Sequence, residues 1–207
     1  MFGATGKTGR HVVTTALERG HQVTAFGRSV DRLDTTDEAL EVCKGDVFDS
    51  ESVSNAVGGH DAAIVCLGST GLRDKAILAA GTKTVIDAMV IHGADRVVVM
   101  SAAGVGDSWK QIPWSSRLLF RTLFRNVFAD HQAQEATVKQ SPLDWTIARA
   151  AVLKDDPATG TYSEQHSQDH QDQSSRRGCV SRRPARRSYE YWQRQVCWQR
   201  SLRSIAS

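Results

Sequence analysis

Short apolar runs alternate along the chain with longer segments in which apolar residues recur at helical spacing. "HDAAIVCLG" (60–68) and "DRVVVMS" (95–101) are continuously apolar, as strands buried on both faces of a parallel sheet are. "HQVTAF" (21–26), "LEVCKG" (40–45) and "LDWTIAR" (143–149) add three further strand-like runs. Helical spacing covers 7–19, 49–57, 73–92 and a long stretch, 115–140. Gly93, just past the third of these, can take the left-handed conformation that closes a helix. Strands alternating with helices predict an α/β domain with a doubly wound parallel sheet and right-handed crossovers.

The long helix pattern carries Leu118, Leu119, Leu123, Phe124, Val127 and Phe128, with Arg117, Arg121 and Arg125 interleaved. Such a stripe fits a core-facing surface helix; a self-association helix is the alternative. Farther along, His131 and Glu135 stand one helical turn apart with Asp130 adjacent. A solvated helix face and a substrate-facing pair both fit that spacing.

The chain opens on "MFGATGKTGR", with glycines at Gly3, Gly6 and Gly9 ahead of the first helix. A glycine turn between strand and helix lets backbone approach a pyrophosphate while the helix start faces its charge. Only Met1 and Phe2 precede the turn, so the first strand is expected to be truncated. A gap beside it, and poor stability, are the expected consequences. About twenty residues on, where a carboxylate would bind the ribose of NAD, "AFGRSVDR" places Arg28, with Ser29 and Arg32 nearby. A cation there suits the 2′-phosphate of NADP. A nucleoside-triphosphate loop is the competing reading, since Gly6-Lys7-Thr8 mimics its ending. Its first glycine would fall on Met1, however, and no later strand ends in the aspartate that holds magnesium.

Composition changes the picture at the end of the chain. The net charge is +3, but residues 161–207 carry arginine and no lysine, crowd Gln and Ser, and hold few aliphatic residues. Such a segment cannot offset its own ordering entropy. We expect two regions: a nucleotide-binding domain at 1–160, and at 161–207 a tail that is disordered or the product of a shifted reading frame. With Tyr189, Tyr191, Trp192 and Trp198, that tail could also be read as a nucleic-acid binder, the less favoured reading. His166 and His170 have a zinc-like spacing without the usual glutamate, and no metal is expected. Cys43 and Cys66 sit in apolar runs as reduced thiols, and Cys179 and Cys197 add no CxxC pair. No signal-peptide pattern is visible, and no apolar run approaches the roughly 20 residues of a membrane span. No membrane association is expected, and a cytoplasmic location is.

"GATGKTG", "GRSVDRL", "GDVFD", "SAAGVGD", "ADHQAQEATVKQSPLDWTIARAAVL" and "PATG", in that order, resemble the atypical short-chain dehydrogenase/reductases. The likeness is to their NAD(P)H-binding, NmrA-like and biliverdin/flavin-reductase-like members, and it covers about residues 2–160. It implies a Rossmann-like domain that binds NADP(H). By that resemblance Gly3, Thr5, Gly6, Lys7, Thr8 and Gly9 would hold pyrophosphate and Arg28 the 2′-phosphate. Asp46 and Val47 would meet adenine, Leu67, Gly68 and Ser69 the ribose on the nicotinamide side, and Ser101 the nicotinamide itself. Ser101 is the one catalytic candidate, as an orienting or proton-relaying hydroxyl; holding backbone at a strand end is the structural alternative. The family's Tyr-x-x-x-Lys pair is missing: four residues after Tyr162, Tyr189 and Tyr191 stand His166, Gln193 and Gln195. "RAAVL" also lacks the histidine that a biliverdin-reductase-like pattern would offer. The implied activity is an NADPH-dependent reductase of a flavin-like or quinone-like small-molecule acceptor, which could take its proton from water. The alternative is a non-catalytic, NADP-sensing regulator.

Overall fold

The computed structural model describes residues 1–68, 76–102, 105 and 125–150. In chain order these form α1 (Lys7–Glu18), β1 (Val23–Gly27), a 3-10 turn (Val30–Arg32), β2 (Leu40–Lys44), α2 (Ser50–Val57), β3 (Ala62–Val65), α3 (Ile77–His92), β4 (Arg96–Ala102), α4 (Arg125–Gln140) and β5 (Asp144–Ala150). All named strand pairs are parallel: β1 with β2, β3 with β4, and β4 with β5. Every predicted element within the described residues is present. β3 is shorter than its apolar run, because Cys66 onward leaves the ladder for the loop above it. Gly93 closes α3 at φ 74°, as its position predicts.

Two half-sheets, β2-β1 and β3-β4-β5, meet across Met1 and Phe2. Phe2 bridges Phe26 on one side and Val65 on the other, both in parallel sense. The Met1 amine donates to Thr24 O (2.7 Å), and Phe26 N–H donates to Met1 O (2.9 Å). On the other flank Phe2 N–H donates to Ile64 O and Cys66 N–H to Phe2 O, each at 2.9 Å. Met1 and Phe2 thus form the lane between β1 and β3. They hold the central lane, so the expected gap is filled beside Thr24–Phe26 and Ile64–Cys66. The spatial order is β2-β1-(Met1–Phe2)-β3-β4-β5, a doubly wound sheet.

Right-handed crossovers put α1 on one face and α2, α3 and α4 on the other. Val13 and Leu17 of α1, four apart, pack with Ala4, Val23 and Ala25. The opposite cluster joins Phe2, Phe26 and Val65 of the sheet to Val53, Val85, Met89 and Val138 of three helices. Phe2 and Phe26 also meet ring to ring, with centroids 5.0 Å apart, worth about 0.5–1.5 kcal/mol beyond area burial. Of the expected apolar stripe, α4 holds only Val127 and Phe128 among the described residues. Its fully buried positions are Asp130, Gln134, Glu135 and Val138, a polar rather than apolar stripe, with Val127 and Phe128 half-buried. Residues 115–124, with Arg117, Arg121 and the leucines of that segment, lie outside the described residues, as does 161–207.

The buried amine of Met1 carries a pH prediction. Desolvation pulls its pKa from 8.0 to about 5. Between those values the folded chain holds a neutral amine where the unfolded chain holds a charged one. Stability is therefore highest above pH 8 and falls as pH drops toward 5. At about 1.4 kcal/mol per pKa unit, the loss is of order 4 kcal/mol. Thermal melts of the chain starting at Met1, at pH 8 and pH 5, should show this slope, and acetylation of that amine should flatten it.

Candidate cofactor and active site

In a parallel sheet all carboxyl ends of the strands lie along one edge, and ligands sit where the strand order reverses. Here that point lies at Met1–Phe2, from which the chain runs directly into the glycine turn. Gly3 has φ 80°, and a Cβ on it would lie 2.3 Å from Cys66 O. Only glycine fits both the angle and the approach to the end of β3. A Cβ on Gly9 would lie 2.1 Å from Gly3 O, so α1 packs directly on the turn. Gly6 is exposed and caps α1 without a side chain, its N–H donating to Gly3 O at 3.2 Å.

The first turn of α1 contains no acid and no capping side chain. By contrast, Asp49 caps α2, and Asp130 accepts from Leu78 N and Ala79 N (2.9 and 3.0 Å) at the start of α3. The α1 start thus has no side-chain cap and no acid beside the positive end of its dipole, which suits an anion. Lys7 is exposed, Thr5 and Thr8 are half-buried, and Arg10 Nε donates to Thr5 O at 3.2 Å, bracing the turn. Donors of this kind at a glycine turn fit a pyrophosphate.

Beyond β1, Arg28 and Arg32 are exposed, and neither guanidinium has an acidic partner among the described residues. The loop's own acids are engaged elsewhere: Asp31 with Lys44 (3.2 Å) and Asp34 with Arg10 (2.9 Å). Beyond β2, Asp46 Oδ1 accepts from Phe48 N at 3.0 Å, which fixes the bend holding Val47. Val47 and Leu67 converge on α3: a Cβ on Gly81 would lie 2.8 Å from Val47 Cγ1 and 2.9 Å from Leu67 Cδ1. Gly68 is exposed with open space where a Cβ would stand. Ser69 lies outside the described residues.

At the end of β4, Ser101 Oγ donates to Glu135 Oε1 at 2.8 Å. Arg149 Nε donates to the same oxygen at 2.8 Å and Nη2 to Glu135 Oε2 at 2.6 Å. Burial pushes the Glu135 carboxyl up, but the hydrogen bonds from Arg149 and Ser101 outweigh it and hold the pKa below 4.5. Next along the helix, Gln134 Nε2 donates to Thr82 Oγ1 (2.9 Å), and His131 Nδ1 meets Gln134 Oε1 (3.3 Å). Burial lowers the His131 pKa, against partial support from Gln134 and the neighbouring acids. Asp130 and Glu135 are thus not a solvated face: one caps α3 and the other holds Ser101. Sequence reasoning missed Arg149. The signal was present, because Ser101 and Arg149 share strand parity at the ends of adjacent strands. His166 and His170 lie outside the described residues, and no described helix is long and apolar enough to cross a membrane.

Comparisons with known proteins agree with the fold. A family model described as NAD(P)H-binding matches residues 3–183, past the expected boundary at 160. An uncharacterized chloroplastic protein of Arabidopsis thaliana is 29% identical over 77% of this chain and 60% of its own length. A 3 beta-hydroxysteroid dehydrogenase/Delta 5→4-isomerase of Mycobacterium tuberculosis is 33% identical over 51% of this chain and 31% of its own length. The chain therefore spans less than two thirds of these curated relatives. Among solved structures, ChuY, an anaerobillin reductase from Escherichia coli O157:H7, superposes with a TM-score of 0.63 at 28% identity, covering 77% of this chain and 75% of the other. A short-chain dehydrogenase/reductase from Veillonella parvula, solved in complex with NADP, shares the fold with a TM-score of 0.66 at 19% identity, covering 78% and 72%. The chain belongs to the NAD(P)H-binding family of Rossmann-like, short-chain-dehydrogenase-related proteins.

Proposed function

We propose that this protein is an NADPH-dependent oxidoreductase that reduces a flavin-like or quinone-like acceptor. The observation that carries the cofactor choice is the loop after β1. Arg28 and Arg32 face solvent without acids, while Asp31 and Asp34 are held by Lys44 and Arg10. A guanidinium matches a phosphate and rejects nothing in it, whereas a ribose-binding carboxylate is absent from that position. In this reading Thr5, Gly6, Lys7, Thr8 and the α1 amides take the pyrophosphate. Asp46 and Val47 border the adenine, and Leu67, Gly68 and Ser69 the second ribose.

When bound, the reduced cofactor supplies a hydride. The chain's own part is to orient both reactants and exclude water. Tyr-x-x-x-Lys proton donation has no counterpart in the sequence, which favours acceptors whose reduced form takes a proton from water. A linear tetrapyrrole is the second reading, favoured by the likeness to ChuY. Binding of cofactor without turnover of any acceptor would favour an NADP-sensing regulator instead.

Two substitutions separate the parts of the site. Arg28→Ala should weaken NADPH by roughly 1.5–3 kcal/mol, the range for hydrogen bonds to charged groups, and leave NADH nearly unchanged. Equal losses would reject the assignment. Gly9→Ala drives a Cβ into backbone at Gly3 and Ala4, so it should cost about 1–3 kcal/mol of stability and weaken NADPH and NADH alike. Cofactor titration and thermal melts read both. Oxidation of NADPH with FMN, riboflavin, menadione or biliverdin, followed at 340 nm, tests the activity.

A further inference from the structure

We propose that Glu135 and Arg149 are positioning residues that pin the Ser101 hydroxyl proton, so that Ser101 meets its ligand as a hydrogen-bond acceptor. The inference rests on the reading above only in placing Ser101 beside the nicotinamide. The polarity of its hydroxyl follows from the fold.

β4 and β5 are paired in parallel with Ser101 opposite Arg149. Both side chains stand on the face covered by α4, in line with Val97 and Val99 and with Trp145 and Ile147. Glu135 sits above them, 4% exposed, and Ser101 is 3% exposed. An ionised carboxylate only accepts, and a guanidinium only donates. Arg149 holds Glu135 ionised through two contacts, at 2.8 and 2.6 Å. Among the described residues the Ser101 proton then has one place to go, Glu135 Oε1. Donating that proton elsewhere would break a buried, charge-assisted bond, about twice as strong as a neutral one. What remains for a ligand is the lone pairs of Ser101 Oγ.

Ser101 therefore fits a ligand carrying an N–H or O–H donor and is ill suited to protonate a reduced acceptor. Two sources share that chemistry: the carboxamide N–H of the nicotinamide, and an imide or hydroxyl on the acceptor. Among the described residues, the other charged groups near Glu135 are Lys139, one turn on, and His131 with Asp130, one turn back.

The test has a binding arm, a turnover arm and a spectroscopic arm, each on the full chain. Ser101→Ala should weaken NADP+ roughly threefold to tenfold by calorimetry, the worth of one neutral hydrogen bond, with Ser101→Thr restoring it. The 3-acetylpyridine analogue lacks the amide donor and should bind wild type and Ser101→Ala equally. If the loss appears only in the KM for FMN, the donor lies on the acceptor. In both cases kcat should keep its pH profile. A kcat that collapses with unchanged KM values would make Ser101 the proton donor and overturn the proposal, as would no effect on binding or KM. Independently of turnover, the 13C carboxyl signal of Glu135, identified by its loss in Glu135→Gln, should titrate at higher pH in Ser101→Ala than in wild type. An unchanged titration would also overturn it. If Glu135→Gln does not fold, Arg149→Lys should move the same signal and identify it. Wild type that oxidises NADPH with none of the acceptors sinks the oxidoreductase reading alone, while the calorimetric and carboxyl arms still decide this one.

Discussion

Everything in this fold hangs on the pairing of Met1 and Phe2. Two residues, bridged to Phe26 and to Val65, join half-sheets that share no other named pairing. The same two residues fix where the glycine turn leaves the sheet. Because Gly3 lies against Cys66 O, at the end of the neighbouring lane, the turn is clamped between its own helix and β3. A shift of this lane would move α1, the crevice and the phosphate donors together.

The opposite wall of the site is held by different means. Where α2 and α3 pack on the core through Val53, Val85 and Met89, α4, beside Val138, buries Asp130, Gln134 and Glu135. Each of these finds a partner: the first amides of α3, Thr82, and the Ser101–Arg149 pair. A buried polar layer tolerates only one alignment, since any slip leaves unpaired groups at about 1–3 kcal/mol each. Apolar packing would allow α4 to settle in several positions. This layer indexes it against α3, β4 and β5 at once.

The strands and helices, and the glycine turn, could be read from the chain because their signals are local. An apolar run makes 95–101 a buried strand in any context, and Gly93 closes its helix by its own backbone. The polar layer could not be read that way. His131 and Glu135, one turn apart with Asp130 adjacent, fit a solvated face as well as a substrate-facing pair until the rotation of α4 is known. Arg149 gains its meaning only when β4 and β5 are aligned so that it stands beside Ser101. Such facts belong to pairs of elements distant in sequence. The two-residue strand was visible as a defect. Its capacity to bridge both neighbours was not, because that depends on where Thr24 and Ile64 already stand.

The two ends of the proposed site also treat charge in opposite ways. At the glycine turn, the first turn of α1 carries no acid, and Arg28 and Arg32 lack acidic partners among the described residues. At the Ser101 end, the carboxylate and guanidinium close on each other within 2.6 Å and leave a locally neutral, buried surface. Field and burial therefore favour an elongated ligand with its negative charge at one end and a neutral, planar group at the other. The proposed cofactor, NADPH, has that distribution, with its phosphates and 2′-phosphate far from an uncharged dihydronicotinamide.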